Sequence, residues 1–267
     1  MTDINARAIL CGRRALVPGA IAERLPKFVF VTISGAHLYG FPSKDSDVDL
    51  RGSHVLPVSD VIGLKDADET FQSTQAIVHD TEVDCVSHDL RKYLKLLMNK
   101  NGYVLEQIFS PLVVYDSGHL TEFKALAAGA ITKHVVHHYK GFFRTQEKLV
   151  LKDPLPTAKT VLYLFRVAMT GLHLLRTGVV VANILELNKE FHLSFINDLV
   201  ARKISGEEKG RLEANEFENL LDAAKKLEAQ LDLAAEDSKL PDVVMNFPAL
   251  DDFLKRLRVQ FSEGGRS

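Results

Sequence analysis

The chain has 267 residues, 46% of them hydrophobic and 25% charged, enough for one large domain or two modest ones and too apolar for a disordered polypeptide. A formal net charge of −2 excludes the whole chain as an electrostatic magnet for nucleic acid, while leaving room for a local basic groove. Two cysteines, Cys11 and Cys85, exclude a disulfide framework, and no run approaches the ~18 apolar residues of a membrane span, so a cytoplasmic protein without a membrane partner is expected.

In chain order, Phe28 to Ile33 is a continuous apolar, β-branched run, which predicts a strand buried on both faces. Asp47 to Val55 alternates: Asp47, Asp49 and Arg51 fall on one face, Val48 and Leu50 on the other. Gln75–His79 and Glu82–Ser87 predict two further strands joined by a turn at Asp80. Cys85, set among valines, is expected to be a small buried apolar side chain. Ser87 offers a helix N-cap ahead of Leu90, Leu94 and Leu97 at helical spacing, and Asn101-Gly102 separates that helix from a short one ending before Ser110-Pro111. From there the pattern is helical, with helices expected near 118–128, 131–150, 157–177, 183–204, 214–234 and 248–260. Pro154, Pro156, Gly178, Gly206, Pro241 and Pro248 mark the joints. The Glu-, Lys- and Ala-rich stretch from Ser205 to Asp237 predicts a solvated helix face.

Two stretches carry chemistry. Ser34-Gly35-Ala36-His37-Leu38-Tyr39-Gly40 begins where the first strand ends, and a glycine at a strand-to-helix turn lets backbone approach a phosphate. Asp45-Ser46-Asp47-Val48-Asp49 follows. Carboxylates at i and i+2 on a strand point the same way and can share a pair of hard cations that bridge a triphosphate. A calcium loop starting at Asp45 would need Gly at its sixth position and Glu at its twelfth; Leu50 and Leu56 stand there, which excludes it.

The order of strand, Gly-containing turn, helix and then Asp-x-Asp on the next strand resembles the signature of the DNA polymerase beta superfamily of nucleotidyltransferases. Ser34 to Gly40, Asp45 to Gly52 and Asn101 to Pro111 are similar to its RNA-ligase-associated branch, as is Lys159 to Gly178; the similarity spans roughly 28–180, with weaker echoes around Pro241 to Arg258. The resemblance implies an α+β fold: a nucleotidyltransferase-type mixed sheet with helices over 1–115, then a helical domain over 116–267 that completes the cleft. It implies transfer of a nucleoside monophosphate, AMP from ATP, to a hydroxyl of an RNA end or of a partner protein, with Mg²⁺ or Mn²⁺ held by Asp47, Asp49 and a third carboxylate. Matching Val83-Asp84-Cys85-Val86-Ser87 to the family pattern favours Asp84 over Glu82 on the same strand face. The nucleotide would meet Ser34, Gly35, Ala36 and Tyr39, and Lys159 and Arg166 look like the branch's basic pair facing the active site. Glu106 would support the site from behind. One departure is Ala36, where the family usually has a serine whose hydroxyl holds a phosphate.

Lys159, Tyr163, Arg166, Thr170 and His173 also form a polar stripe on an otherwise apolar helix, and Lys140, Arg144 and Lys148 with His134, His137 and His138 give the 131–150 helix a basic face suited to an acceptor. The alternative to an active enzyme is a non-catalytic nucleotide- or RNA-binding module that kept the fold. Ala36 favours that reading, and the intact Asp47, Asp49 and Asp84 oppose it.

Overall fold

A computed structural model describes residues 27–78, 81–153, 156–206 and 212–263. The expected turn at Asp80 and the breaker Pro154 lie outside them. The described residues divide into two compact units: one contains 27–35, Asp47–Ala130 and 244–263; the other contains Ala36–Ser46 and the described part of Ile131–Val243.

The first unit is built on a five-stranded mixed sheet in the order β3-β4-β2-β1-β5. Its strands are β1 (Lys27–Ile33), β2 (Val48–Val55), β3 (Thr70–Val78), β4 (Thr81–Asp89) and β5 (Val113–Asp116). Only β2 and β4 run parallel, while β1 pairs antiparallel with both β2 and β5. That places β1 inside the sheet, and Val29, Phe30, Val31, Thr32 and Ile33 are all buried, as an unbroken apolar run predicts. Alternation sends Val31, Ile33, Val48, Leu50, Val83 and Cys85 into one core layer. Phe28 joins that layer because a register shift between Phe28 and Phe30 flips the alternation there. Burial pushes the Cys85 thiol up to about 11, so it behaves as the small apolar side chain expected of it.

Phe30 heads a second layer. It meets Tyr93 and Phe123 edge-on at 5.5 and 5.8 Å between ring centroids, and Phe123 stands 5.1 Å from Phe253. Those rings come from α3 (Leu90–Met98), α5 (Leu120–Ala128) and α11 (Phe247–Glu263), the last of which returns to this unit from the chain's far end. The unit also holds α2 (Val58–Val61) and α4 (Gly102–Phe109). Neither α2 nor β5 was expected, since each is only four residues long and too short to establish a period.

The N-cap of α3 is a correction. β4 continues to Asp89, whose side chain caps the helix by accepting from the Arg91 amide, whereas the Ser87 hydroxyl is taken by His54 at 2.9 Å. A cap residue is chosen by where the strand ends, and pairing with β2 carries the strand two residues past Ser87.

The second unit surrounds α7 (Ala158–Thr177), whose capping box at Thr157 and Thr160 and left-handed Gly178 mark both ends. It is buried along most of its length. Around it stand α6 (Val136–Lys152), entered by a 3₁₀ turn at Lys133–Val135, then α8 (Ile184–Phe191), α9 (Ile196–Ser205) and α10 (Ala214–Glu236). Leu220, Ala224, Leu227 and Leu231 give α10 one buried stripe, leaving the rest of that Glu- and Lys-rich helix to solvent. The single helix expected over 183–204 is two. His192 turns left-handed at φ 53°, and the Asn188 side chain both donates to the Leu193 carbonyl and accepts its amide, closing α8 before α9 begins. Among the described residues, no helix is long and apolar enough to cross a membrane.

Candidate active site

The parallel pairing of β2 with β4 sets Asp49 opposite Asp84. Both carboxylates lie on the face away from the Val48, Leu50, Val83 and Cys85 core, and both are half-buried. Arg51 sits two residues beyond Asp49 on the same face. One of its guanidinium nitrogens donates to Asp49 Oδ1 at 2.8 Å and to Asp84 Oδ2 at 2.9 Å, and the other donates to the carbonyls of Leu50 and Asp84 at 2.8 and 3.0 Å. The remaining oxygen, Asp84 Oδ1, is buried and has no hydrogen-bond partner among the described residues. Burial raises the Asp49 pKa above its ordinary value; Arg51 opposes the rise, and the charges of Asp84 and Asp47 add to it. Asp47 is exposed at the mouth of β2, and Glu82 is exposed on β4.

Gly35 opens α1 (Gly35–Tyr39) with φ +60°, and a Cβ there would stand 1.8 Å from Asp49 Oδ2. Only glycine satisfies both constraints. The amide of buried Ser34 donates to the Asp49 carbonyl at 2.8 Å, so the turn is fastened to the strand that carries the acids. The carbonyl of half-exposed Ala36 accepts from the amides of Gly40 and Phe41. Glu106 is buried on α4.

The other sequence-predicted residues belong to the helical unit. Arg166, fully buried on α7, lies over the Tyr39 ring at 3.7 Å, with Phe142 and Tyr163 each 5.9 Å away. Lys159 is exposed on the first turn of the same helix. Tyr39 is buried and packs edge-on to Tyr163 at 5.6 Å. Of the basic face on α6, Lys140 is held by Asp232, and Arg144 lies 4.0 Å from Glu228, both acids on α10. Sequence reasoning assigned no role to two cations. Arg51 had a signal, its i+2 spacing from Asp49. Lys203 had none: from α9 it donates to Ser43 Oγ at 2.7 Å and Ser46 Oγ at 3.1 Å, stitching the turn that runs into Asp47.

Residues 16–256 match the RlaP family, described as an RNA repair pathway DNA polymerase beta family. The chain belongs to this family. That description ties the family to RNA repair and to the DNA polymerase beta type, the type expected from the sequence. Two relatives are similar to it. An uncharacterized protein of Methanocaldococcus jannaschii, MJ0002, is 33% identical over 154 residues, which is 56% of this chain and 61% of the relative. The uncharacterized protein YcgL of Bacillus subtilis is 27% identical over 233 residues, 80% of this chain and 88% of the relative.

Among the described residues, no three His, Cys, Asp or Glu side chains are gathered as a ready ion cage; Asp49 and Asp84 are brought together on Arg51 without a third. The donor set nevertheless suits a hard divalent cation. It is all oxygen, it holds two acids against one arginine, and Asp84 Oδ1 is desolvated and unpaired.

Proposed function

We propose that this RlaP member is a metal-dependent nucleotidyltransferase that moves AMP from ATP onto a hydroxyl at an RNA end. The observation that carries the proposal is the in-register pair Asp49 and Asp84 on parallel neighbouring strands, already gathered around a positive charge. The family's place in RNA repair favours an RNA acceptor over a protein hydroxyl. Asp47, Asp49 and Asp84 would hold Mg²⁺ or Mn²⁺, which when bound neutralises triphosphate charge and favours the ionised acceptor hydroxyl.

The chain's own residues do the rest. Gly35, lacking a side chain, lets the Gly35–Ala36 backbone come close to a phosphate without displacing Asp49. Asp49 or Asp84 receives the acceptor proton. The acceptor oxygen bonds to the α-phosphorus, the α–β anhydride bond breaks, and pyrophosphate leaves. Ala36 supplies a backbone N–H but no hydroxyl, so phosphate contact there is by backbone alone. Phosphate roles for Lys159 and Arg166, and the supporting role of Glu106, rest on the family alone.

The test is incubation of the full chain with each α-labelled nucleoside triphosphate, Mg²⁺ or Mn²⁺, and RNAs of defined 3′ and 5′ ends, with pyrophosphate measured beside label transfer. ATP-dependent label on RNA with equal pyrophosphate is expected, and lost in Asp49→Asn. Label on protein moves the acceptor assignment. Metal-dependent ATP binding without pyrophosphate supports the alternative, a binding module that kept the fold, which Ala36 favours.

A further inference from the structure

Two carboxylates on register partners of adjacent strands, about 4.8 Å apart along the sheet, repel each other unless a cation lies between them. Arg51 is that cation. Its guanidinium is fixed by four hydrogen bonds, two to the acids and two to the backbone carbonyls of Leu50 and Asp84. The carbonyl anchors do not depend on the acids' charge, so the head group is held at the site rather than drawn to it loosely. The planar fork of arginine spans these acceptors; a lysine ammonium has three donors on one atom and cannot. The side chain keeps 20% of its surface exposed, so it has an open side toward which to swing. Its departure would free Asp49 Oδ1 and Asp84 Oδ2 beside the unpaired Asp84 Oδ1.

We propose that Arg51 is a built-in counter-cation: it holds Asp49 and Asp84 assembled in the metal-free protein, and a divalent cation must displace it to load the site. This rests on the reading above that these acids bind metal. Loading is then an exchange of one cation for another, and the metal affinity of the site is weaker than the acids alone would give. Arg51 is a positioning residue, acting through the acids rather than on substrate.

The test uses Mn²⁺ alone, followed by the electron-paramagnetic signal of the free ion and by the melting temperature of the full chain. Arg51→Met is expected to melt lower than wild type without metal, to bind Mn²⁺ roughly tenfold more tightly because charge-assisted hydrogen bonds no longer compete, and to gain more melting temperature from Mn²⁺. Arg51→Lys, which keeps the charge without the fork, is expected between the two; it carries the test if Arg51→Met does not fold. If wild type binds Mn²⁺ and Asp84→Asn does not, yet the Arg51 variants bind no more tightly than wild type, the counter-cation role is overturned while the metal reading stands. If neither wild type nor the Arg51 variants bind Mn²⁺, the metal reading fails and the Arg51 proposal with it.

Discussion

The β2–β4 pair carries two ionic clusters, one at each end, and they are built on opposite principles. At the end where the strands begin, Asp49 and Asp84 share one arginine, are half-buried, and leave an oxygen unpaired. At the other end, His54 is the register partner of Asp89, and the Asp89 side chain is fully buried. Asp89 takes both guanidinium nitrogens of Arg258 at 2.6 and 2.8 Å and the amides of Leu56 and Arg91 at 2.9 and 3.0 Å. Burial alone would raise its pKa, but those hydrogen bonds, Arg258's above all, bring it below the ordinary value. One acid against one base, with every lone pair used, is a finished structural joint. Two acids against one base, with an oxygen left over, is a site still short of positive charge. Within one unit and one strand pair, charge balance separates the element that holds the fold from the element proposed here for chemistry.

The largest expected effect tests the finished joint. Arg258→Met leaves Asp89 buried without its counterion and is expected to cost about 3–5 kcal/mol in urea unfolding. A loss under 1 kcal/mol would mean the two clusters do not differ in kind.

The pH dependence sharpens the same contrast. Burial lowers the His54 pKa to about 4, against 6.5 in the unfolded chain. Between those values the unfolded chain binds a proton that the native one refuses, so stability is complete above pH 6.5 and falls as pH drops toward 4. At pH 5, about 1.5 pH units below the unfolded value, the loss from this one group is on the order of 2 kcal/mol. His138, also lowered to about 4 by burial and then by the Arg166 charge, acts in the same direction. Urea midpoints at pH 7 and pH 5 measure the fall, and His54→Gln is expected to shrink it.

Gly35→Ala probes the open cluster. The left-handed backbone costs about 1–2 kcal/mol with a side chain, and the new Cβ cannot coexist with Asp49 Oδ2 where it now lies. Thermal melting should show that modest loss, while AMP transfer under the proposed function falls much further. Parallel losses in both would make Gly35 merely structural.

The smallest effect is Lys159→Ala. Lys159 is exposed, so stability should change by less than about 0.5 kcal/mol. Under its proposed phosphate role, KM for the triphosphate rises with little change in melting temperature. An unchanged KM removes Lys159 from the site.

What the sequence determined by itself was whatever depends on short spacing. The β1 run, the i, i+2 placement of Asp49 and Arg51, and the α7 boundaries at Thr157 and Gly178 all follow from periods of two or 3.6 residues and from local capping chemistry, whereas Asp47, expected on the same strand, stands just before it. What the tertiary structure alone decided was every pairing between distant residues. Arg51 meets Asp84 across 33 positions, and Arg258 meets Asp89 across 169. Ser87 is not the cap because pairing with β2 carries β4 on to Asp89, and much of the α6 basic face is matched by acids of α10. The membership of the two units is of the same kind: residues 36–46 and 244–263 each join a unit whose other residues lie far along the chain. Local sequence sets which face a side chain occupies, because backbone geometry repeats over a few residues. Which charge it finds there is set by strand register and helix packing, where the partner is chosen by burial and hydrogen bonding rather than by nearness in the chain.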